Sequence, residues 1–357
     1  MVVTTPDGVT EPSGRHDVLQ VARDAELVTD EMLLRCDIEL RVADRRNINT
    51  VIVVDGTPRW FAKQATPGAS GHLIDREATL LSASGGGRRL AAPSLVAHDT
   101  TRRLAVTVFV DHAETLAARV ERLGRLNLAI ARRLGRELAR VHTADPSPAA
   151  PPSVSPPWCY SLAAPLAEVV ADASPGSLRL LARVQSPALA DGLGRLAAAW
   201  RPDAIVHNDL KFDNVLVTRQ RPFAITIADW ETVTTGDPAW DVGSLIGEFL
   251  TAWLSSMTAD ADATIDQMQA SATRPLAPML PVIRAYLDTY RRHADASPEF
   301  LYRAVANAGA RVLQSAYESL QDRTALSPLS ALQMQLAVNV VARPEQAAVR
   351  LLEVGTS

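Results

Sequence analysis

Of the 36 lysines and arginines in this 357-residue chain, only Lys63 and Lys211 are lysine. A lysine kept where the rest of the sequence writes arginine marks a place where a compact ammonium on a flexible stem cannot be replaced by a flat guanidinium fork. Lys211 lies in VHNDLKFDNVLV, where His207, Asp209 and Asn214 stand at the spacing His-x-Asp-(x)4-Asn ahead of an apolar strand. A short hairpin later, the apolar run AITIA delivers Asp229 at its end. These residue types suit phosphoryl transfer, which asks a protein mainly for positioning and charge neutralisation. Asp209 is the candidate base that orients an acceptor hydroxyl and takes its proton. Asn214 and Asp229 are oxygen donors of the kind Mg2+ prefers. Lys63 is the candidate lysine for the nucleotide phosphates, and it needs an acid to fix it. Each residue alone reads as a turn or a cap; the whole set in this order is specific.

The acid for Lys63 is sought in GHLIDREATLLSAS, an amphipathic helix. Glu77 has apolar residues at i−4, i+3 and i+4 that point it inward, which favours it; Asp75 is the alternative. Upstream, IELRV, INTVIVV and RWFAK read as strands, with Asp55-Gly56 as a tight hairpin turn between the last two. SLVAHDTTRRLAVTVFV reads as a further hairpin. Helical patterning takes over after Asp111, with one long amphipathic helix from Glu121 to His142 ended by the Pro-rich stretch DPSPAAPPSVSPPW. VLVT and AITIAD are short strands, and nearly everything from Asp241 onward is helical in pattern. The expected organisation is a flexible tail over 1–16, a nucleotide-binding part over 17–110, and a larger part over 111–357 carrying the catalytic loop and acceptor site. Residues 143–160 are expected to be a linker or surface loop.

A net charge of −4 and a pI near 6 exclude a general basic footprint for nucleic acid. No stretch approaches a membrane span and the N-terminus has no signal-peptide core. Cys36 and Cys159 are isolated, as buried inert thiols of a reducing cytosol would be. A cytoplasmic protein is expected.

The same residues carry a family resemblance. The set resembles the aminoglycoside-phosphotransferase and choline-kinase-like branch of the protein-kinase-like fold. Asp229-Trp230-Glu231 stands where protein kinases have Asp-Phe-Gly, GDPAWDVG (Gly236 to Gly243) resembles the segment that follows in that branch, and LGRELARVH resembles the helix before its catalytic loop. The resemblance implies an α+β bilobal fold: a small antiparallel β N-lobe with one long helix, and a larger, mainly helical C-lobe. It also implies ATP and Mg2+ as cofactors, with Lys63 binding phosphate and paired to Glu77, and Asn214 and Asp229 as magnesium ligands. Asp209 would be the base and Lys211 would neutralise charge on the transferring group. The segment Thr107–Val110, with Val108 and Val110, would meet adenine, and Asp241 would brace the catalytic loop or serve as a helix N-terminal acid. His207 is expected to be a packed core histidine and Glu231 structural.

Two departures stand out. No glycine lies between Leu40 and Val54, so RRNINT must serve the phosphates through Asn47, Asn49 or Thr50. Asn208 precedes Asp209 in place of an arginine that reads a phosphorylated loop, and the few residues from Asp229 to Asp237 leave no room for such a loop. The expected acceptor is Ser or Thr of a biosynthetic precursor peptide, as in lanthipeptide-type chemistry, with a lyase as possible partner. Trp158, Tyr160, Trp240 and Trp253 could wall its groove. The alternatives are a small-molecule alcohol such as an aminoglycoside, for which Asp260, Asp262 and Asp266 offer a few acids, and a non-catalytic binding scaffold.

Overall fold

The computed structural model describes residues 14–44, 47–66, 71–85, 90–145, 150–151, 155–165, 167–258 and 264–352. Helices α1 (Gly14–Asp24) and α2 (Asp30–Arg35) lead into the strands β1 (Ile38–Asp44), β2 (Asn47–Val54) and β3 (Thr57–Ala65). The β2–β3 turn is Asp55-Gly56, with φ of 48° and 73°. Two successive left-handed residues are what a type I′ hairpin requires. After α3 (His72–Ala83), β4 (Leu95–Asp99) and β5 (Leu104–Val108) complete an antiparallel sheet of order β1-β2-β3-β5-β4. Alternation along β5 sorts its two faces. Leu104 and Val106 pack with Val18, Val21 and Ala22 of α1, and Ala105 packs with Ile74 and Ala78 of α3.

The N-terminal helices correct the sequence reading, which had one helix here and a loose tail through residue 16. Gly14 to His16 already belong to α1, because Val18, Val21 and Ala22 bury that helix on the sheet. Residues 1–13 of the expected tail lie outside the described residues.

Beyond β5 the chain forms β6 (Ala113–Thr115), α4 (Leu116–Leu123) and α5 (Leu128–His142). Two helices thus replace the single one expected from Glu121 to His142. Gly124 ends α4 with φ of 64°, and the Asn127 side chain caps α5 by accepting the Ala129 N–H at 2.7 Å. The helices α6 (Ala167–Ala171), α7 (Pro175–Arg183) and α8 (Pro187–Ala198) precede β7 (Ala204–Val206). Next, β8 (Val215–Thr218) and β9 (Ile225–Ile227) form a hairpin that β6 joins at the β8 edge, while β10 (Thr234–Gly236) pairs with β7. The rest is helical: α9 (Pro238–Leu254), α10 (Ile265–Ala270), α11 (Leu280–Ala294), α12 (Pro298–Glu318), α13 (Pro328–Ala342) and α14 (Pro344–Leu352). An antiparallel sheet followed by a helical body is the α+β, kinase-like architecture expected.

The Pro-rich segment does not run as surface loop to residue 160. Trp158–Ala163 is a 3-10 turn whose Cys159 and Leu162 are fully buried, with Tyr160 edge-on to Trp240 at 6.0 Å. Joining the main core outweighs the prolines before it; residues 146–149 and 152–154 lie outside the described residues. The thiols Cys36 and Cys159 are unpaired, and only Cys159 is buried, where desolvation pushes its pKa well up.

One helix crossing matters for the site. Gly243 and Gly247, one turn apart on α9, face α12. A Cβ at Gly243 would lie 2.5 Å from Cβ of Asn307, and one at Gly247 would lie 3.1 Å from Cβ of Arg311. Without side chains there, the two backbones come close enough for Arg311 to reach past α9. No helix among the described residues is long and apolar enough to cross a membrane.

Candidate active site

Strand β3, helix α3 and the segment after β9 bring one lysine to three carboxylates. Lys63 Nζ lies 3.0 Å from Glu77 Oε2 and 2.8 Å from Glu231 Oε2, and it also contacts Asp229 Oδ1. Glu77 accepts the Trp230 N–H on its other oxygen at 3.0 Å. Its inward place on α3 is the one its apolar neighbours predicted. Asp75, the alternative, instead pairs with His98 at 2.8 Å on the outer side. Burial alone would lower the pKa of Lys63, but Glu77, Asp229 and Glu231 outweigh it and hold it well above the ordinary lysine value. Burial would likewise raise the Asp229 carboxyl; Lys63, with His207 and Lys211, holds it below the usual range.

Glu231, expected to be structural, is part of this cluster. A 3-10 turn over Trp230–Thr232 swings it back onto Lys63, where it also accepts from the buried Asn47 side chain at 2.8 Å. Sequence reasoning missed this, although the two-residue spacing from Asp229 was a usable signal. Asn47, Asn49 and Thr50, expected to serve the phosphates, all stand in β2, which begins at Asn47 after β1 has ended at Asp44. Asn49 sits across from Lys63 in register, and Thr50 is fully buried. Neither Asn49 Oδ1 nor Thr50 Oγ1 has a hydrogen-bond partner among the described residues.

The β8–β9 hairpin fixes the second half of the site. Val215 pairs with Ile227, so the residue before β8 meets the residue after β9. Ala228 donates its N–H to Asn214 O at 2.8 Å and accepts from His207 Nε2 at 2.8 Å. Asn214 and Asp229 are thereby held side by side. The Asn214 amide nitrogen donates to Asp209 O at 2.9 Å, which leaves its oxygen for a cation. Lys63 takes Asp229 Oδ1, and Oδ2 has no hydrogen bond among the described residues. A carboxylate and an amide oxygen fit Mg2+, with phosphate and water oxygens completing its shell. No group of three His, Cys, Asp or Glu among the described residues is placed to hold a metal by itself.

The loop that carries Asp209 is braced from below. Fully buried Asp241 accepts the N–H groups of His207 and Asn208 at 2.6 and 3.0 Å, and lies 3.3 Å from His142 Nε2. It is both the loop brace and a first-turn acid of α9. Asn208 takes φ of 71°, and its carbonyl accepts from Trp240 Nε1 at 3.0 Å. His207 is the packed core histidine expected, accepting the Asp209 N–H on Nδ1 at 3.3 Å. Lys211 Nζ donates to Asp209 Oδ2 at 2.7 Å. Burial would lower Lys211; Asp209 overcomes that and raises it.

A cavity of about 420 Å³ opens beside Asp209 and Lys211, walled by Trp158, Asn208, Thr232, Trp240, Gln314 and Glu318. Two of the four aromatic residues proposed from sequence line it. Tyr160 is in the core, and Trp253 lies in a separate cavity against Val340 and Leu351. Asp260 and Asp262 lie outside the described residues. At the end of β5, the Val108 N–H already donates to Ser94 O and the Phe109 N–H to Arg59 O, both at 2.9 Å.

No curated protein matches the sequence. Among solved structures, an ethanolamine kinase of Plasmodium vivax aligns with a TM-score of 0.59 at 11% identity, over 94% of this chain and 91% of its own. A choline/ethanolamine kinase family protein of Mesorhizobium loti gives 0.53 at 15%, over 95% and 97%. A macrolide 2'-phosphotransferase of type I gives 0.51 at 17%, over 92% and 99%. At such identities these establish the fold alone. The model of the phosphotransferase enzyme family matches residues 39–286, well over half the chain and spanning Lys63, Asp209 and Asp229. The chain therefore belongs to the phosphotransferase enzyme family and is a kinase with an alcohol group as acceptor and ATP with Mg2+ as donor.

Proposed function

We propose that the protein transfers the γ-phosphate of ATP to the hydroxyl of a small molecule bound in the cavity beside Asp209. The observation that carries this is a one-third-exposed Asp209, paired with Lys211, at the wall of a cavity of about 420 Å³. That volume is within the roughly 300–1,000 Å³ of small-molecule sites.

Asp209 orients the acceptor O–H and takes its proton as the new oxygen–phosphorus bond forms and the bond to the leaving ADP breaks. Lys211 sits where charge on the transferred group develops. Lys63, held by Glu77, binds the nucleotide phosphates, and Asn214 with Asp229 holds Mg2+, which neutralises charge on them. Asn47 is committed to Glu231 and Thr50 is fully buried, so of these three β2 residues Asn49 alone keeps a partly exposed polar side chain to offer. The Val108 amide is occupied, so adenine is met by its carbonyl and by the Val110 N–H. Residues up to about 110 serve the nucleotide and those from 111 the acceptor; the pairing of β6 with β8 just past that point supports the division. The cytoplasm, which holds ATP, is the fitting compartment.

A precursor-peptide acceptor and a lyase partner find no support in the comparisons. The neighbours above carry names that state small acceptors, ethanolamine, choline or a macrolide. The test is ATP consumption with Mg2+ against parallel panels of amino alcohols, aminoglycosides, macrolides and Ser/Thr-containing peptides, each followed by mass spectrometry. A phosphate gain on a small alcohol is expected. Phosphopeptide formation with every small alcohol left unmodified refutes the small-molecule reading.

A further inference from the structure

We propose that Arg311 of α12 is a positioning residue for Asp209, holding the base while Lys211 attends to the transferring phosphoryl group. The proposal rests on the reading of Asp209 as the base.

The observation behind it is that Asp209 faces a cation on each carboxylate oxygen. Lys211 Nζ lies 2.7 Å from Oδ2, and Arg311 Nη2 lies 3.7 Å from Oδ1. The two cations are built differently. Lys211 is one-third exposed on a flexible stem beside the cavity, while the Arg311 side chain is 4% exposed and packed beneath the loop. It reaches there only because Gly247 leaves α9 bare where its Cβ and Cγ cross, a Cβ on Gly247 lying 3.1 Å from both.

Arg311 also faces a second acid that holds the same loop. Its Nε is 4.0 Å from Glu248 Oε1, and Glu248 Oε2 accepts the Phe212 N–H at 3.0 Å. One buried guanidinium thus lies between the carboxylate of Asp209 and the carboxylate that pins the loop three residues later. Yet Arg311 Nε has no hydrogen-bond partner among the described residues. A buried cation with an idle donor is expensive, and an arginine serving packing alone would close its donors on its partners. Held at ion-pair range, it supplies charge to Asp209 without drawing the carboxylate out of line.

The two cations therefore divide the work. When a phosphoryl group enters, Lys211 can swing toward it and loosen its bond to Asp209. Arg311, its side chain 4% exposed and packed on Gly247, has no such room, so Asp209 keeps one cationic neighbour and its rotamer through the transfer. In sequence Arg311 was one of several arginines in the last helices, and nothing local singled it out.

The test is a double-mutant cycle on ATP hydrolysis with Mg2+, in which water stands in as acceptor, with ATP affinity measured separately by calorimetry. Arg311→Met is expected to lower kcat by about 10- to 100-fold, a barrier change of roughly 1.4–2.7 kcal/mol, with ATP affinity kept within about twofold. Arg311→Lys should recover part of the loss, and it replaces the Met variant if that one does not fold. In an Asp209→Asn background, Arg311→Met should cost nothing further, because its effect passes through the carboxylate. Additive losses, or an unchanged kcat in folded Arg311→Met, overturn the proposal while leaving Asp209 as the base. An Asp209→Asn variant with undiminished rate overturns both.

Discussion

Replacing Lys63 by methionine isolates the energetics of the cluster on which the two halves of the chain meet. Lys63, Glu77 and Glu231 each keep about a tenth of their side-chain surface, so the charges are screened little. At 3 Å and an effective dielectric near 20, one such pair attracts by roughly 5–6 kcal/mol. Desolvation of each ion cancels most of that gain, so the intact cluster adds little net stability. Its loss is asymmetric. Without the lysine, three carboxylates face one another with no cation, and removing one partner of a buried pair typically costs about 3–5 kcal/mol. The deficit should depend on pH with a definite sign. In the variant the stranded acids have folded-state pKa values above their unfolded ones, so the penalty is full at high pH and shrinks as pH falls and they protonate. Urea denaturation of wild type and Lys63→Met at pH 8 and pH 5.5 measures this. A Lys63→Met, Glu231→Gln double variant should regain part of the loss, having one stranded charge fewer. A deficit below about 1 kcal/mol at pH 8, a surface pair's worth, or one that grows on acidification, would refute the reasoning.

Further outcomes follow from the same geometry. Glu77→Gln should lower kcat/KM by tenfold or more, about 1.4 kcal/mol or more of barrier, whereas Asp75→Asn, which loses only the His98 pair, should stay within about twofold of wild type, a few tenths of a kcal/mol; steady-state kinetics on both separates them. Gly243→Ala should destabilise by roughly 1–3 kcal/mol through overpacking of α9 on α12, read by thermal denaturation. Asp241→Ala strands the N–H groups of His207 and Asn208 at a cost of roughly 1–3 kcal/mol each, and should lower stability and turnover together. Because carboxylates raise both lysines against the opposing effect of burial, their ion pairs are intact below the ordinary lysine pKa of about 10.4 and are lost only above it. A pH–rate profile should therefore show no alkaline fall from either lysine up to about pH 9.5; a basic limb below that, abolished in Lys211→Arg, would contradict the assignment.

Much of the site was legible because its parts announce themselves locally. The spacing of Asp209 and Asn214, the strand that ends at Asp229, and the apolar neighbours of Glu77 each carry their own signal, and all four residues lie where those signals put them. The hairpin turn at Asp55-Gly56 was legible for the same reason. What escaped depends on chain segments far apart in sequence. Asn47 and Glu231 meet across the whole catalytic half, and neither motif mentions the other. Arg311 matters only because two glycines on α9 admit α12, which no helical pattern reveals. The break between α4 and α5 was available in principle: Gly124 and Asn127 are a stop and a start three residues apart, overlooked because the apolar periodicity runs through them. Trp158–Ala163 was misread because prolines mark where a helix cannot run but are silent on whether the next turn is buried.

The central claim is that Asp209 takes the acceptor proton in phosphoryl transfer, and the most direct measurement compares wild type with Asp209→Asn. Both would be assayed with Mg2+ and ATP at saturating acceptor, with ATP affinity measured alongside. The account predicts that kcat falls by about 100- to 10,000-fold while ATP affinity stays within twofold. An Asp209→Asn enzyme that turns over at the wild-type rate would contradict it.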